Sequence, residues 1–174
     1  MSTFLEQEAA ELARLSGIIE GEDKATRRKR ECTESMVAAS AAGHRHVVYM
    51  LVQNGADLNG RDRQNQTALM RAVSRVDIKL AKLLLRLGSD VNARGINGDT
   101  ALNISIRRGN EEMFRLLLNA GADVFLKKWD GTDAWDVAKA WKRHKFVEVL
   151  DEFAAKAPTA TNHASPEGRR GLRR

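Results

Sequence analysis

Apolar positions along the chain fall into short helical runs that return at a fixed interval. The run LLLRLGSDVN at 83–92 has counterparts in MLVQNGADLN at 50–59 and LLLNAGADVF at 116–125, each displaced by 33 residues. The same displacement brings Thr67-Ala68-Leu69 onto Thr100-Ala101-Leu102, and two periods bring Gly43-His44 onto Gly109-Asn110. A unit of this size that recurs as a whole is one supersecondary element, repeated so that each copy buries its apolar face against its neighbours.

Within a unit the pattern predicts two antiparallel helices. In the second unit the seam between them comprises Leu69, Ala72, Val73, Leu80, Ala81, Leu83 and Leu84; Leu102, Ile104, Ile106, Met113, Phe114, Leu116 and Leu117 continue the same layers in the third. Thr67, Thr100 and Asp133 stand one residue before such runs, where a side-chain oxygen can accept from an unpaired amide of the first turn. In the first unit an inner helix is expected over 35–42, closed by Gly43. An outer helix over about 46–54 then buries Val47, Val48, Met50, Leu51 and Val52, and Gly55 ends the unit. Glycine suits such stops because it adopts the left-handed conformation without a side-chain clash. Val76 occupies the equivalent turn position in the second unit, and a β-branched residue is costly at positive φ, so that turn is expected to be reshaped. The fourth unit places Trp135 at the core position of Leu69 and Leu102 and Lys142 at the turn glycine, as a closing repeat would.

The ends differ from this body. Residues 4–19 place Phe4, Leu5, Ala9, Leu12, Leu15 and Ile19 at helical intervals, and an amphipathic helix covering the exposed end of the stack is the expected role, with a partner-binding helix as the alternative. Five cations between Lys24 and Arg30 predict a solvated linker, with nuclear import or anionic-partner contact as the functional alternatives. The expected division is a helix and basic linker over 1–28 and a repeat domain over 29–155, with units of about 29–61, 62–94, 95–127 and 128–153. A disordered basic tail over 156–174 completes it; deleting 158–174 should leave the thermal midpoint unchanged.

From 29 to 153 the sequence resembles ankyrin repeats, whose unit opens Thr-Pro-Leu-His, turns at Gly-His, and closes on a double leucine and Gly-Ala-Asp-Val-Asn. Thr67-Ala68-Leu69-Met70, Gly43-His44, Leu83-Leu84-Leu85 and Gly55-Ala56-Asp57-Leu58-Asn59 stand in those places, and Trp135-Asp136-Val137-Ala138-Lys139 looks like the last repeat of many such arrays. The usual proline is replaced by Ser35, Ala68, Ala101 and Ala134, which removes a helix-start preference but no contact that stacking needs. The resemblance implies an all-α, ankyrin-repeat solenoid of antiparallel helix pairs joined by β-hairpin-like loops, here with an N-terminal capping helix. It also implies a protein-binding scaffold or adaptor, although the fold alone fixes no particular job.

Composition narrows the chemistry. No apolar run of about 18 residues is present to span a bilayer, and Glu6, Glu8 and Glu11 stand where a secretory leader would carry basic residues, so an intracellular, cytoplasmic protein is expected. The basic runs at 24–30 and 169–174 leave the nucleus open. A single cysteine, Cys32, permits no internal disulfide and no metal cluster. His44 and His46 lack companion ligands, the resemblance makes His44 structural, and no glycine-rich phosphate loop opens a helix. Glu111 and Glu112 form a solvated helix start. No catalytic residue, metal or cofactor is expected.

Charge placement is more informative than charge total. The net charge is +6, yet residues 34–155 hold 18 basic and 15 acidic residues, so a basic surface must come from position. The resemblance implies that partners bind at the hairpin tips and the outward residues of the inner helices, which line a concave groove. Those positions hold Arg61, Arg63, Gln64, Gln66, Ser74, Arg75, Arg94, Ile96, Asn97, Asp99, Arg107, Arg108, Lys127, Lys128, Trp129, Asp130, Thr132 and Trp141, with eight cations against two acids. Solubility alone accounts for charged tips but not for Trp129, and Trp and Arg dominate binding hot spots. Trp141 is open between groove and core. Arg61, Arg63, Arg75, Arg94, Arg107, Arg108, Lys127, Lys128, Trp129 and Trp141 are therefore the candidate partner-binding residues of a monomer. The expected partner is an acidic or phosphorylated protein segment, held by bidentate arginines with Trp129 as apolar anchor. The alternative is nucleic acid or another polyanion on the same groove. Under either reading, charge reversal of Arg75, Arg107 and Arg108 should abolish binding and leave melting unchanged.

Overall fold

The computed structural model describes residues 24–156. Its helices are α1 (Lys24–Ala42), α2 (Arg45–Gln53), α3 (Ala68–Ser74), α4 (Ile78–Arg86), α5 (Ala101–Arg108), α6 (Glu111–Asn119), α7 (Ala134–Ala140) and α8 (His144–Lys156), with one 3-10 turn at Ile96–Gly98. Each odd-numbered helix packs against the even-numbered helix that follows it. The odd-numbered helices also pack on one another in order, α1 on α3, α3 on α5 and α5 on α7, making an inner row backed by an outer row.

Local chemistry sets the helix starts where the sequence predicts. The Thr67 and Thr100 hydroxyls accept from the amides of Met70 and Asn103, and Asp133 forms a reciprocal capping box with Asp136. The outer helices carry caps of their own: Asp77 accepts from Leu80 and Asn110 from Met113. The core follows the repeat, with Leu69, Leu80, Leu84, Leu102, Ile106, Met113, Phe114, Leu117 and Leu150 fully buried. Phe114 and Phe146 meet at a ring-centroid separation of 4.7 Å.

The Gly-Ala-Asp-x-Asn segment explains itself in hydrogen bonds. The carboxylate of Asp57 or Asp90 accepts from the amide two residues on, an Asx turn that fixes the loop. The asparagine then reaches the next unit: the Asp90 amide donates to Asn59 Oδ1 at 2.8 Å and the Asp123 amide to Asn92 Oδ1 at 2.8 Å. The ladder ends where Phe125 replaces asparagine. There the Phe125 ring stacks on Trp135 at 5.5 Å, and Trp135 Nε1 donates to Asp151 at 2.7 Å. Trp135, assigned to the core from sequence, is half-buried for this reason.

Three further expectations change. The Val76 turn is not reshaped: Val76 keeps φ 62°, in line with Gly43 at 83°, Gly109 at 69° and Lys142 at 54°. The turn is held by an amide reaching back five residues, from Asp77 to Ala72 as from His44 to Ala39 and Arg143 to Ala138, and this shared bonding overrides the preference of one side chain. The inner helix of the first unit does not begin at 35; it starts at Lys24, so the basic run read as a linker is exposed helix. Thr33 fixes that extension by accepting from the Asp57 amide at 2.9 Å. Val47 and Met50, expected in the core, are exposed, and of that helix only Val48 is fully buried. The expected helix at 4–19 and the tail beyond 156 lie outside the described residues.

Candidate functional site

Between the helix pairs the chain makes three projecting loops. Their hairpin character is visible in the Arg61–Thr67 bridge and in the amides of Gly95 and Lys128 donating to the carbonyls of Asp99 and Thr132. The reversal needs a positive φ at one position, supplied by Asn65, Gly98 and Gly131, which stand 33 residues apart. Asparagine serves there because its short polar side chain tolerates the left-handed region.

Several candidate cations turn out to brace these loops. Arg61 donates to Asn65 Oδ1 and to the Arg94 carbonyl of the next loop. Arg107 pairs with Asp99, a nearly buried carboxylate, and so ties α5 to its own loop. Lys128 pairs with Asp130, whose carboxyl also accepts from the Thr132 hydroxyl and amide and is lowered to about 2 by those bonds and the Lys128 ammonium. Arg71, not singled out from sequence, braces the first loop by donating to Asp62 and Gln64. Burial alone raises the Asp62 carboxyl, but the Gln66 amide, Arg71 and the Gln64 amide together hold it below the ordinary value. Arg75 lies across Gly43 and donates to the Ala41 carbonyl at 3.0 Å, capping the C-terminus of α1; a Cβ on Gly43 would stand 3.0 Å from its guanidinium. The expectation that reversing Arg75, Arg107 and Arg108 leaves melting unchanged is therefore corrected, because two of the three hold the fold together.

What remains is a smaller set. Arg63, Arg108 and Lys127 are exposed and make no hydrogen bond or ion pair among the described residues, while the Arg94 side chain is half-buried. Trp129 is 66% exposed and Trp141 52% exposed, which settles Trp141 as a surface residue. The repeat period orders these side chains into two rows. Arg63, Ile96 and Trp129 share one position on successive loops; Arg75, Arg108 and Trp141 share one position at the ends of α3, α5 and α7. Both rows change from cationic to aromatic toward the C-terminal end of the stack. Trp129 is held in place: its amide donates to the Asn97 carbonyl of the preceding loop at 3.2 Å, and its ring leans on Gly98, where an added Cβ would approach the Trp129 amide to 2.9 Å.

A family model described as Ankyrin repeats (3 copies) matches residues 8–95, 35–128 and 76–157, so its matches span most of the chain. The chain belongs to the ankyrin-repeat family. This stack of paired helices is the ankyrin solenoid that the sequence resemblance implied. Ankyrin repeats serve in general as protein-binding modules and not as enzymes. A comparison with curated proteins finds no match. No described helix of this ankyrin array is long and apolar enough to cross a membrane.

Proposed function

We propose that this ankyrin array binds an acidic or phosphorylated segment of a partner protein along the face between its two rows. Trp129, with Ile96 at the same place on the neighbouring loop, receives an apolar side chain of the segment. Trp141 closes the C-terminal end of that face, and Arg63, Arg108 and Lys127 meet carboxylate or phosphate groups through charge-assisted hydrogen bonds. The observation carrying this reading is the exposure of Trp129 on a loop whose backbone and glycine neighbour fix it. An exposed, rigidly seated tryptophan costs solubility and loses little entropy on binding, which is the profile of a hot spot.

The polyanion alternative is weaker on this surface. Binding to nucleic acid draws on many unpaired cations that displace counterions, whereas Arg61, Arg75, Arg107 and Lys128 are bonded within the fold. The test is recovery of partners from nuclease-treated and untreated lysate across a salt gradient, with wild type beside Arg108→Glu/Lys127→Glu. Recovery of a discrete protein from treated lysate, lost in the variant, supports the proposal. Capture of nucleic acid alone, released steeply by salt, contradicts it.

A further inference from the structure

Where the asparagine ladder ends, the chain carries an aromatic surface that packing leaves open. Phe125 takes the position of Asn59 and Asn92, and it is 57% exposed although its ring stacks on Trp135 at 5.5 Å. Trp135 takes the position of Leu69 and Leu102, which are 1% and 2% exposed, and is half-buried with its Nε1 donating to Asp151 at 2.7 Å. An N–H that donates to a carboxylate leaves more electron density on the indole, which strengthens the attraction of the stacked pair for a cation. Acids stand beside the pair. Asp123 accepts from the Phe125 amide, and Glu148, Asp151 and Glu152 lie at i, i+3 and i+4 on one side of α8. All four acids are exposed, and none forms an ion pair among the described residues. Sequence register sets two cations nearby, Lys127 and Lys139, so acids outnumber cations here in a chain whose net charge is +6.

We propose that this surface binds an arginine side chain of a basic partner segment, with the guanidinium flat on the open face of Phe125 and its edge bonded to Asp151 or Asp123. The ligand follows from the chemistry. A stacked pair with one open face accepts a flat cation, and the guanidinium is the flat one, with donors along its rim that match a carboxylate. The ammonium of lysine is a compact, strongly hydrated charge and gains less from such a plane. Four unpaired carboxylates disfavour a polyanion here. The inference goes beyond the binding face proposed above. Phe125 and Trp135 flank the base of the third loop, whereas Trp129 stands on the loop itself, and the segment bound here is basic where that one is acidic.

The test titrates the nitrogen-15-labelled full-length protein with a short peptide of alternating glycine and arginine and follows the indole N–H signals of its three tryptophans by nuclear magnetic resonance. The Trp135 signal is expected to move and saturate while those of Trp129 and Trp141 stay in place. Exchanging arginine for lysine in the peptide is expected to weaken binding about threefold or more. Phe125→Asn keeps every acid and installs the residue that sister repeats carry, and it is expected to weaken binding about tenfold. A Trp135 signal that does not move overturns the proposal, as does movement of Trp129 or Trp141 in its place. Equal affinities for the two peptides, or undiminished affinity in Phe125→Asn, also overturn it, because only bulk attraction between acids and cations would remain. Binding that appears only after Arg169→Gln, Arg170→Gln, Arg173→Gln and Arg174→Gln assigns the surface to this chain's own basic end and overturns the partner reading.

Discussion

At residue scale, the repeat decides backbone conformation over the preference of individual side chains. Val76 and Lys142 are held at φ 62° and 54° where sister repeats use glycine. A non-glycine residue in this region costs about 1–2 kcal/mol. Lys142→Gly, on an exposed side chain with nothing to lose in packing, is expected to stabilise by about 1 kcal/mol, raising the melting temperature by roughly 2–4 °C. Thermal melts by circular dichroism read this directly, and an unchanged or lower midpoint would show that the turn is unstrained. The Asp77 carboxyl sits at the same scale. Burial alone would raise it, yet the Leu80 amide and Arg45 hold it below the usual carboxylate range. A carboxylate with a lowered folded-state pKa stabilises above its unfolded value and loses that stability as pH falls through the folded one. Stability is therefore expected to hold from pH 7 to 5 and fall below about pH 4, with a shallower fall in Asp77→Asn, which keeps the cap but cannot titrate. Acid titrations of the two proteins that superimpose would count against this role for Asp77.

At the scale of elements, loops are fixed to inner helices by particular cations, and the sequence cannot say which. Arg107 and Arg108 are adjacent and alike in type, but one turns toward Asp99 and the other toward solvent. Arg107→Met leaves a nearly buried carboxylate unpaired and is expected to destabilise by about 2 kcal/mol. Arg108→Glu should move stability by no more than about 0.5 kcal/mol. Denaturant unfolding of both variants separates the roles, and equal effects would remove the distinction on which the binding face rests. The same limit explains what was legible beforehand. The helix starts at Thr67, Thr100 and Asp133 and the interior leucines depend on neighbours close in sequence or one period away, so the pattern carries them. The side of α5 on which Arg107 falls, the stacking of Phe125 on Trp135, and the helical form of 24–30 depend on which surfaces meet in space. No spacing rule reaches those.

At the scale of the molecule, the described stack has two ends and a face, and the three differ. The C-terminal end breaks the asparagine ladder and substitutes the Phe125–Trp135 pair. At the N-terminal end Val47, which patterning assigns to the core, is exposed among the described residues. Along the face, the change from cations to aromatics gives the array a polarity, which sets the direction in which a bound segment would lie. On the proposed reading, the apolar part of such a segment lies over Ile96 and Trp129 on the second and third loops and its acidic part toward Arg63 on the first. The seat of Trp129 is part of that design: Gly98→Ala, at φ 73° and against the Trp129 amide, is expected to weaken partner binding while Trp129 itself is unaltered. Titration of that variant against the recovered partner checks this, and undiminished affinity would show that the seat of Trp129 is immaterial.

The measurement that bears most directly on the account is the dissociation constant of the recovered partner protein for wild type and for Trp129→Ala, with melting temperatures taken alongside. If the exposed tryptophan anchors the partner, its removal weakens binding by about 2 kcal/mol, roughly thirtyfold, with the melting temperature unchanged. An unchanged dissociation constant at unchanged stability would contradict the assignment of this face as the binding site.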